Sequence, residues 1–377
     1  MKNSDNKLPI ELIDTEEKLV EVVEHIKLCE DIFIDTEFDD FNTQYGIHLQ
    51  LIQIFDGTSC FLIDPIPIKN LDILWAVFEN ENICKVLYSG ANDVGILKMA
   101  GCNIKNIFDI QVAALLCNRT ENSYAALIHA EFGIDIDKSQ QRSSWDNRPL
   151  NASQLMYACN DVIYLPRLKE IFLSEINQKN LGHVLQEENI LLAAVIKKEY
   201  EPKLKANQKK TFNRDSQKTL MEFKILINSY AKLLNVPPFY IVRDSLLEKI
   251  IKDKAGFLKN PFLKGFHTDV LSDAQFTKQF LAIVHSIDTA KGWANLEKEK
   301  RSKDDVVIKY NSLRVYNKSF LPFEQYLITS YGAVTGTFIL RGLSKLFLDE
   351  VVNLEGARQY QKDLYNDFIT GFAAVGE

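Results

Sequence analysis

A chain of 377 residues, 46 % hydrophobic and 25 % charged, suits two or three globular domains and excludes a disordered or fibrous protein. Its net charge of −7 does not advertise a nucleic-acid binder, although local fields rather than total charge decide binding. The cysteines, Cys29, Cys60, Cys84, Cys102, Cys117 and Cys159, form no CxxC pair, which argues against a zinc module or disulfide framework and for a reducing compartment. The first residues, MKNSDNKLPIELIDTEEKL, hold no apolar signal core, and no uncharged apolar run is long enough to span a bilayer. A cytoplasmic location without membrane contact is expected.

In chain order, Asp14 and Glu17 suggest a capping box, and Leu19, Val22, Val23 and Ile26 give the helical period after it. Three strand candidates follow, DIFIDTEF, HLQLIQIFD and SCFLIDP, separated by turn residues such as Asp56-Gly57. A helix around LDILWAVFENE and a strand at KVLYS come next. Two short helices then follow, the first closed by Gly101 and the second opened by Asp109. This alternation predicts an α/β domain, a mixed sheet flanked by helices, over residues 1–180. Beyond it strands nearly vanish, and an all-α half is expected: a basic helical linker at 181–212, a helical domain at 213–290 and a helical region at 291–377. Residues 197–218 hold eight basic side chains against three acidic ones. No internal repeat or low-complexity tract occurs.

The stretch FIDTEFDD, residues 33–40, sets four acids at the end of an apolar run, where desolvation and like charge are costly. On an extended strand Asp35 and Glu37 share one face, about 7 Å apart, while Thr36 and Phe38 take the other. Asp39 and Asp40 read as a solvated turn. SQLMYACNDVIYL reads as a helix opened by Asn151 or Ser153, with Tyr157 and Asp161 four apart on one face. Asp93, in SGANDVGIL, falls after a strand and near a helix start. Singly, Asp161 is an ordinary helix-surface acid, Asp93 a helix-start acid favoured by the dipole, and Tyr157 a core residue with its hydroxyl at the rim. Together they supply what two-metal phosphoryl chemistry needs, carboxylates drawn from separate elements. Carboxylates without histidine suit Mg2+ or Mn2+. The histidines His25, His48, His129, His183, His267 and His285 show no clustered spacing.

The sequence DTE on a strand, ND some sixty residues later and YACND on a helix resembles the DEDD superfamily of 3′–5′ exonucleases. The run LIHAEFGIDIDKSQQRSSWDNRPLNASQLMYACNDVIYL, residues 127–165, is similar to the corresponding run of the ribonuclease D family, as are LQLIQIFDG, FLIDP and KVLYSGANDVGIL. The resemblance covers about residues 10–175 and implies a ribonuclease H-like fold. In this superfamily the third motif carries a histidine five residues before its last aspartate or a tyrosine four before it. Met156 and Tyr157 occupy those positions, so the tyrosine type is implied. Asp35, Glu37, Asp93 and Asp161 are thereby implied as acids binding two Mg2+ or Mn2+ ions, with Tyr157 orienting the attacking water. Asp35, Glu37 and Asp161 would hold one ion, and Asp35 with Asp93 the other. Two departures stand out: Tyr88 where relatives usually carry histidine, and Ser143-Ser144-Trp145 where they often show SDW.

The implied reaction is hydrolytic removal of 5′-monophosphates from the 3′ end of single-stranded RNA, as in trimming tRNA or other structured RNA precursors. The alternatives are a DNA exonuclease, because both polymers present the same phosphodiester, and an inactive nucleic-acid-binding protein on this fold. The stretch LLNVPPFYIVRDSLLEKIIKDKAGFLKNPFLKGF resembles the helical HRDC domain, whereas SYGAVTGTFILRGLSKLF in 291–377 shows no comparable motif. Bacterial relatives often carry a second such module there, but without the motif 291–377 is read as helical, with a second module only as the alternative. A chain ending near residue 190 is expected to cut short oligonucleotides if it folds. No protein partner is indicated.

Overall fold

A computed structural model describes residues 8–197, 200–261, 265–294, 320–343, 352 and 354–375. Its strands are β1 (Ile10–Ile13), β2 (Asp31–Asp40), β3 (Ile47–Phe55), β4 (Cys60–Ile63), β5 (Cys84–Leu87) and β6 (Ile107–Asp109), in the sheet order β1-β4-β3-β2-β5-β6. β1 pairs parallel with β4, β3 antiparallel with β4, and β5 parallel with both β2 and β6. The sheet is therefore mixed, as expected. β1 and β6, of four and three residues, were not anticipated.

Eight helices of the N-terminal region cover the sheet: α1 (Glu16–Ile26), α2 (Asp72–Phe78), α3 (Ala91–Met99), α4 (Ile110–Leu116), α5 (Tyr124–Phe132), α6 (Ala152–Asn160), α7 (Leu165–Gln178) and α8 (Gly182–Ala193). Strand alternation splits the core in two. Ile32, Ile34, Ile52, Ile54 and Ile63 pack with α1, α2 and α3 on one face. Phe33, Leu51, Phe55, Leu62 and Val86 pack with α4, α6, α7 and α8 on the other. The first helix is capped by Thr15, which accepts from the Lys18 N–H, rather than by the expected Asp14; Asp14 instead pairs with the Lys18 ammonium at 2.8 Å. Asp109 caps α4, and α6 starts with a full capping box of Asn151 and Gln154.

The chain divides into two compact units, Met1–Glu37 with Leu49–Lys197 and Arg301–Glu377, and Phe38–His48 with Lys198–Lys300. This corrects the expected run of four consecutive segments. α8 belongs to the first unit, so 181–212 is not one linker. The last helices, α16 (Leu321–Tyr331), α17 (Ala333–Leu340) and α18 (Gln359–Val375), follow the second unit in the chain and belong to the first. Phe323, Leu327, Ile339 and Tyr360 complete the core that α4, α7 and α8 leave open. Thr335 Oγ1 donates to the Leu115 carbonyl at 2.9 Å, and the Glu187 carboxylate accepts the Gln359 and Tyr360 N–H groups at the start of α18. Residues 295–319 and 344–351 of the expected C-terminal region lie outside the described residues.

The second unit holds α9 (Ala206–Thr211), α10 (Arg214–Leu234), α11 (Pro238–Ile241), α12 (Asp244–Lys252), α13 (Lys254–Lys259), α14 (Thr268–Ser272) and α15 (Ala274–Ser286). Phe212, Phe223, Ile227, Leu247, Ile250, Phe276 and Phe280 form its core. The β2–β3 connection belongs to this unit, with Tyr45 Oη donating to Asn228 Oδ1 at 2.9 Å and Phe41 packed edge-on against Tyr45 and tilted against Tyr200. Asp39 is buried and accepts from Asn42 N, Thr43 N and Thr43 Oγ1, so it shapes that connection and is not the solvated turn acid expected; Asp40 is exposed.

Candidate active site

β2 delivers Asp35 and Glu37 to the sheet face that carries Phe33, the face covered by α6 and α7. α6 ends at Asn160, and Asp161 is its C-cap in right-handed helical conformation, its N–H bonded to the Tyr157 carbonyl at 3.3 Å. The one-turn relation expected of Tyr157 and Asp161 therefore survives, although the helix stops there. α7 is tied to β2 by Lys169, whose ammonium lies 2.6 Å from both Asp31 carboxylate oxygens. The result brings one carboxylate oxygen each of Asp35, Glu37 and Asp161 within 4.8 Å of one another, all partly buried.

Asp93 stands on the first turn of α3 and is buried, with Oδ1 accepting from Thr36 Oγ1 at 2.5 Å. Thr36 points to the opposite strand face from Asp35 and Glu37, so Asp93 is held beside the three-acid cluster but is not part of it. Asp109, assigned as an N-cap from sequence, does more. Its carboxylate accepts Gln111 N and Val112 N of α4, and also Ser89 N and Gly90 N in the turn that opens α3. That turn places Ser89 at φ +55.

Burial and mutual repulsion dominate the electrostatics. Asp35 is raised well above the usual carboxylate range, by desolvation first and then by the charges of Asp93, Asp161 and Glu37. Desolvation, with Asp161 and Asp93, pushes Glu37 up to about 9. Asp161 rises to about 7 through desolvation, partly offset by the Tyr157 hydroxyl as donor. Asp93 rises to about 6 through desolvation, partly offset by Thr36. Tyr157 is pushed upward by burial and by Asp161, Glu37 and Asp35, so its hydroxyl keeps its proton and donates. Asp35, Glu37 and Asp161, with Asp93 beside them, form an oxygen-only donor set whose charges repel one another. It fits a hard divalent cation, which would relieve the repulsion.

Three neighbours were not foreseen. Tyr124, raised by desolvation and by the charges of Asp161 and Asp35, donates from its hydroxyl to the Asn160 carbonyl at 2.8 Å. The Tyr88 ring lies tilted against it, with centroids 5.3 Å apart, and its hydroxyl donates to the Asn122 carbonyl at 2.6 Å, so the residue standing for the family's usual histidine braces α5. Trp145 is buried with its ring centroid 6.0 Å from that of Tyr157. Only the similarity of the 127–165 run pointed toward Trp145; nothing in local spacing marked Tyr124.

Residues 10–177 match the 3′–5′ exonuclease domain family. A curated ribonuclease D of Shewanella sp. is 36 % identical over 159 residues, 41 % of this chain and 41 % of that protein. A ribonuclease D of Desulfotalea psychrophila is 32 % identical over 248 residues, 63 % of this chain and 66 % of that one. The chain thus spans between two fifths and two thirds of these relatives' length. The crystal structure of Escherichia coli RNase D, described as an exoribonuclease involved in structured RNA processing, superposes with TM-score 0.63 over 96 % of this chain and 99 % of that one. At 21 % identity this likeness shows a shared fold.

Proposed function

We propose, for a chain whose residues 10–177 belong to the 3′–5′ exonuclease family and which is a relative of ribonuclease D, that it removes nucleotides one at a time from the 3′ end of single-stranded RNA. The observation that carries this is the partly buried convergence of Asp35, Glu37 and Asp161 beside a protonated Tyr157. Asp35, Glu37 and Asp161 would hold divalent ions, Mg2+ or Mn2+, with Asp93 contributing from α3. When bound, such ions activate water and neutralise charge on the departing 3′-oxygen.

The chain's own side chains set the geometry. Tyr157 keeps its proton and so donates to the attacking water, orienting it rather than deprotonating it. Asp161 holds that hydroxyl from one turn away. Thr36 fixes one oxygen of Asp93. Catalysis on this plan is positioning and charge stabilisation, with no covalent intermediate.

RNA is favoured over DNA because the named relatives are ribonucleases; the acids themselves do not distinguish the two, since only contacts to the 2′-OH can. The helical second unit is assigned the HRDC-like role of gripping the body of the strand. In it Lys209, Lys210, Arg214 and Lys218 are exposed, whereas Lys205 and Lys224 are engaged by Asp244. A gel of purified protein with Mg2+ and matched single-stranded RNA and DNA tests the reading: RNA shortening from its 3′ end supports it, and digestion of DNA alone would replace it.

A further inference from the structure

We infer that Arg148 is a positioning residue for Tyr157, acting through Trp145; this rests on the exonuclease reading above. Arg148 precedes α6 by a few residues, in the loop that enters it. Its Nε and Nη2 donate to the two Asp64 carboxylate oxygens at 2.5 and 2.9 Å, Nη2 also to the Gln50 carbonyl at 2.8 Å, and Nη1 to the Trp145 and Asn147 carbonyls at 2.6 and 2.8 Å. Gln50 lies in β3 and Asp64 directly follows β4. One planar fork therefore fastens the loop to the sheet, which a lysine could not do in the same way.

The other side of the loop is fastened to α6. Gln154, buried in the first turn, donates from Nε2 to Ser143 Oγ at 3.1 Å and to the Ser144 carbonyl at 3.4 Å. Trp145 sits between these two anchors, only 5 % exposed, with its ring tilted 43° against Tyr157. Its indole Nε1 is buried without a hydrogen-bond partner. No polar contact of its own therefore fixes the ring. Its place is set by its backbone, whose carbonyl Arg148 holds, and by van der Waals contact. Because Tyr157 leans on that ring, the guanidinium fixes the direction of the Tyr157 hydroxyl without touching substrate.

The test is a set of single-turnover digestions of 5′-labelled single-stranded RNA with Mg2+, using wild type, Arg148→Lys, Trp145→Leu, Tyr157→Phe and each of the first two combined with Tyr157→Phe. Misplacement near the reacting group costs about 10²-fold, so Arg148→Lys and Trp145→Leu should each slow cleavage by that order while RNA affinity holds. With the Tyr157 hydroxyl already removed, either change should cost no more than roughly twofold further. A purely structural role would leave the same fold-loss in both backgrounds, and that result overturns the inference. So does a wild-type rate in either single variant. Should one variant fail to fold, the other decides the matter. An inactive wild type overturns the exonuclease reading itself, and with it this one.

Discussion

Burial and the neighbouring acids Asp161, Glu37 and Asp35 raise the Tyr157 hydroxyl, which keeps it a donor, as the proposed water-orienting role requires. Removing that hydroxyl changes little volume, so Tyr157→Phe should slow the chemical step by about 10²–10⁴-fold while leaving RNA affinity intact. A single-turnover rate within about twofold of wild type would remove Tyr157 from the site. Asp35 shows the opposite face of the same design. Its charge is repelled by three other acids and disfavoured by burial, which is a cost to the fold that serves the site. Asp35→Asn should therefore abolish Mg2+-dependent cleavage and yet raise the melting temperature of the metal-free protein at neutral pH. A lower melting temperature would mean that the carboxylate is stabilising. The pairs Asp35/Glu37 and Tyr157/Asp161 were legible because two- and four-residue periods put them on shared faces. Thr36 as the partner of Asp93, and Tyr124 beside Asp161, depend on contacts across tens of residues and left no local signal.

At the scale of elements, α18 is held by charge as well as by apolar contact. Glu188 of α8, 5 % exposed, accepts the Tyr360 hydroxyl at 2.6 Å and pairs with Arg358 at 2.9 Å and with Arg341. Removing one partner of a buried network leaves the others unpaired. Because both arginines are partly solvated, the cost should fall at or below the lower end of the buried-pair range, about 2–3 kcal/mol for Glu188→Ala. Denaturant unfolding measures it, and a loss under about 0.5 kcal/mol would show the network to be incidental. Most long elements were legible from period and caps: α6 from Asn151, α4 from Asp109, and β2 to β4 from apolar runs between turns. β1 and β6 were not, since IELI and IFD are too short to show a period and exist because neighbouring strands offer hydrogen bonds.

At the scale of the whole molecule, the return of α16, α17 and α18 to the first unit overturns one expectation. A chain ending near residue 190 would strip Phe323, Leu327, Ile339 and Tyr360 from a shared core, so it should aggregate or unfold rather than cut short oligonucleotides. From sequence those segments read only as helical, which could not say which core they complete. The acid cluster also gives the molecule a pH signature. Glu37 binds its proton up to about 9 in the metal-free fold against an ordinary 4.5, and Asp161 up to about 7 against 3.8. The folded state thus holds more protons than the unfolded chain across that window. The stability these two groups contribute is full below about pH 4 and is lost as pH rises through the folded values. Melting temperature without metal should accordingly fall between about pH 5 and about pH 9, and Mg2+ should restore more at the higher pH. A Mg2+ response that is absent, or larger at the acid end, would contradict the assigned ligand set.

The most direct measurement compares wild type with Asp161→Asn on one single-stranded RNA labelled in turn at each end, with Mg2+ and after its removal by EDTA. Wild type with Mg2+ should release the 3′ label at once as mononucleotide and shorten the 5′-labelled strand by single steps. EDTA and Asp161→Asn should each stop both. Internal cuts, release beginning at the 5′ end, or wild-type digestion by Asp161→Asn would contradict a 3′–5′ exonuclease built on Asp35, Glu37 and Asp161.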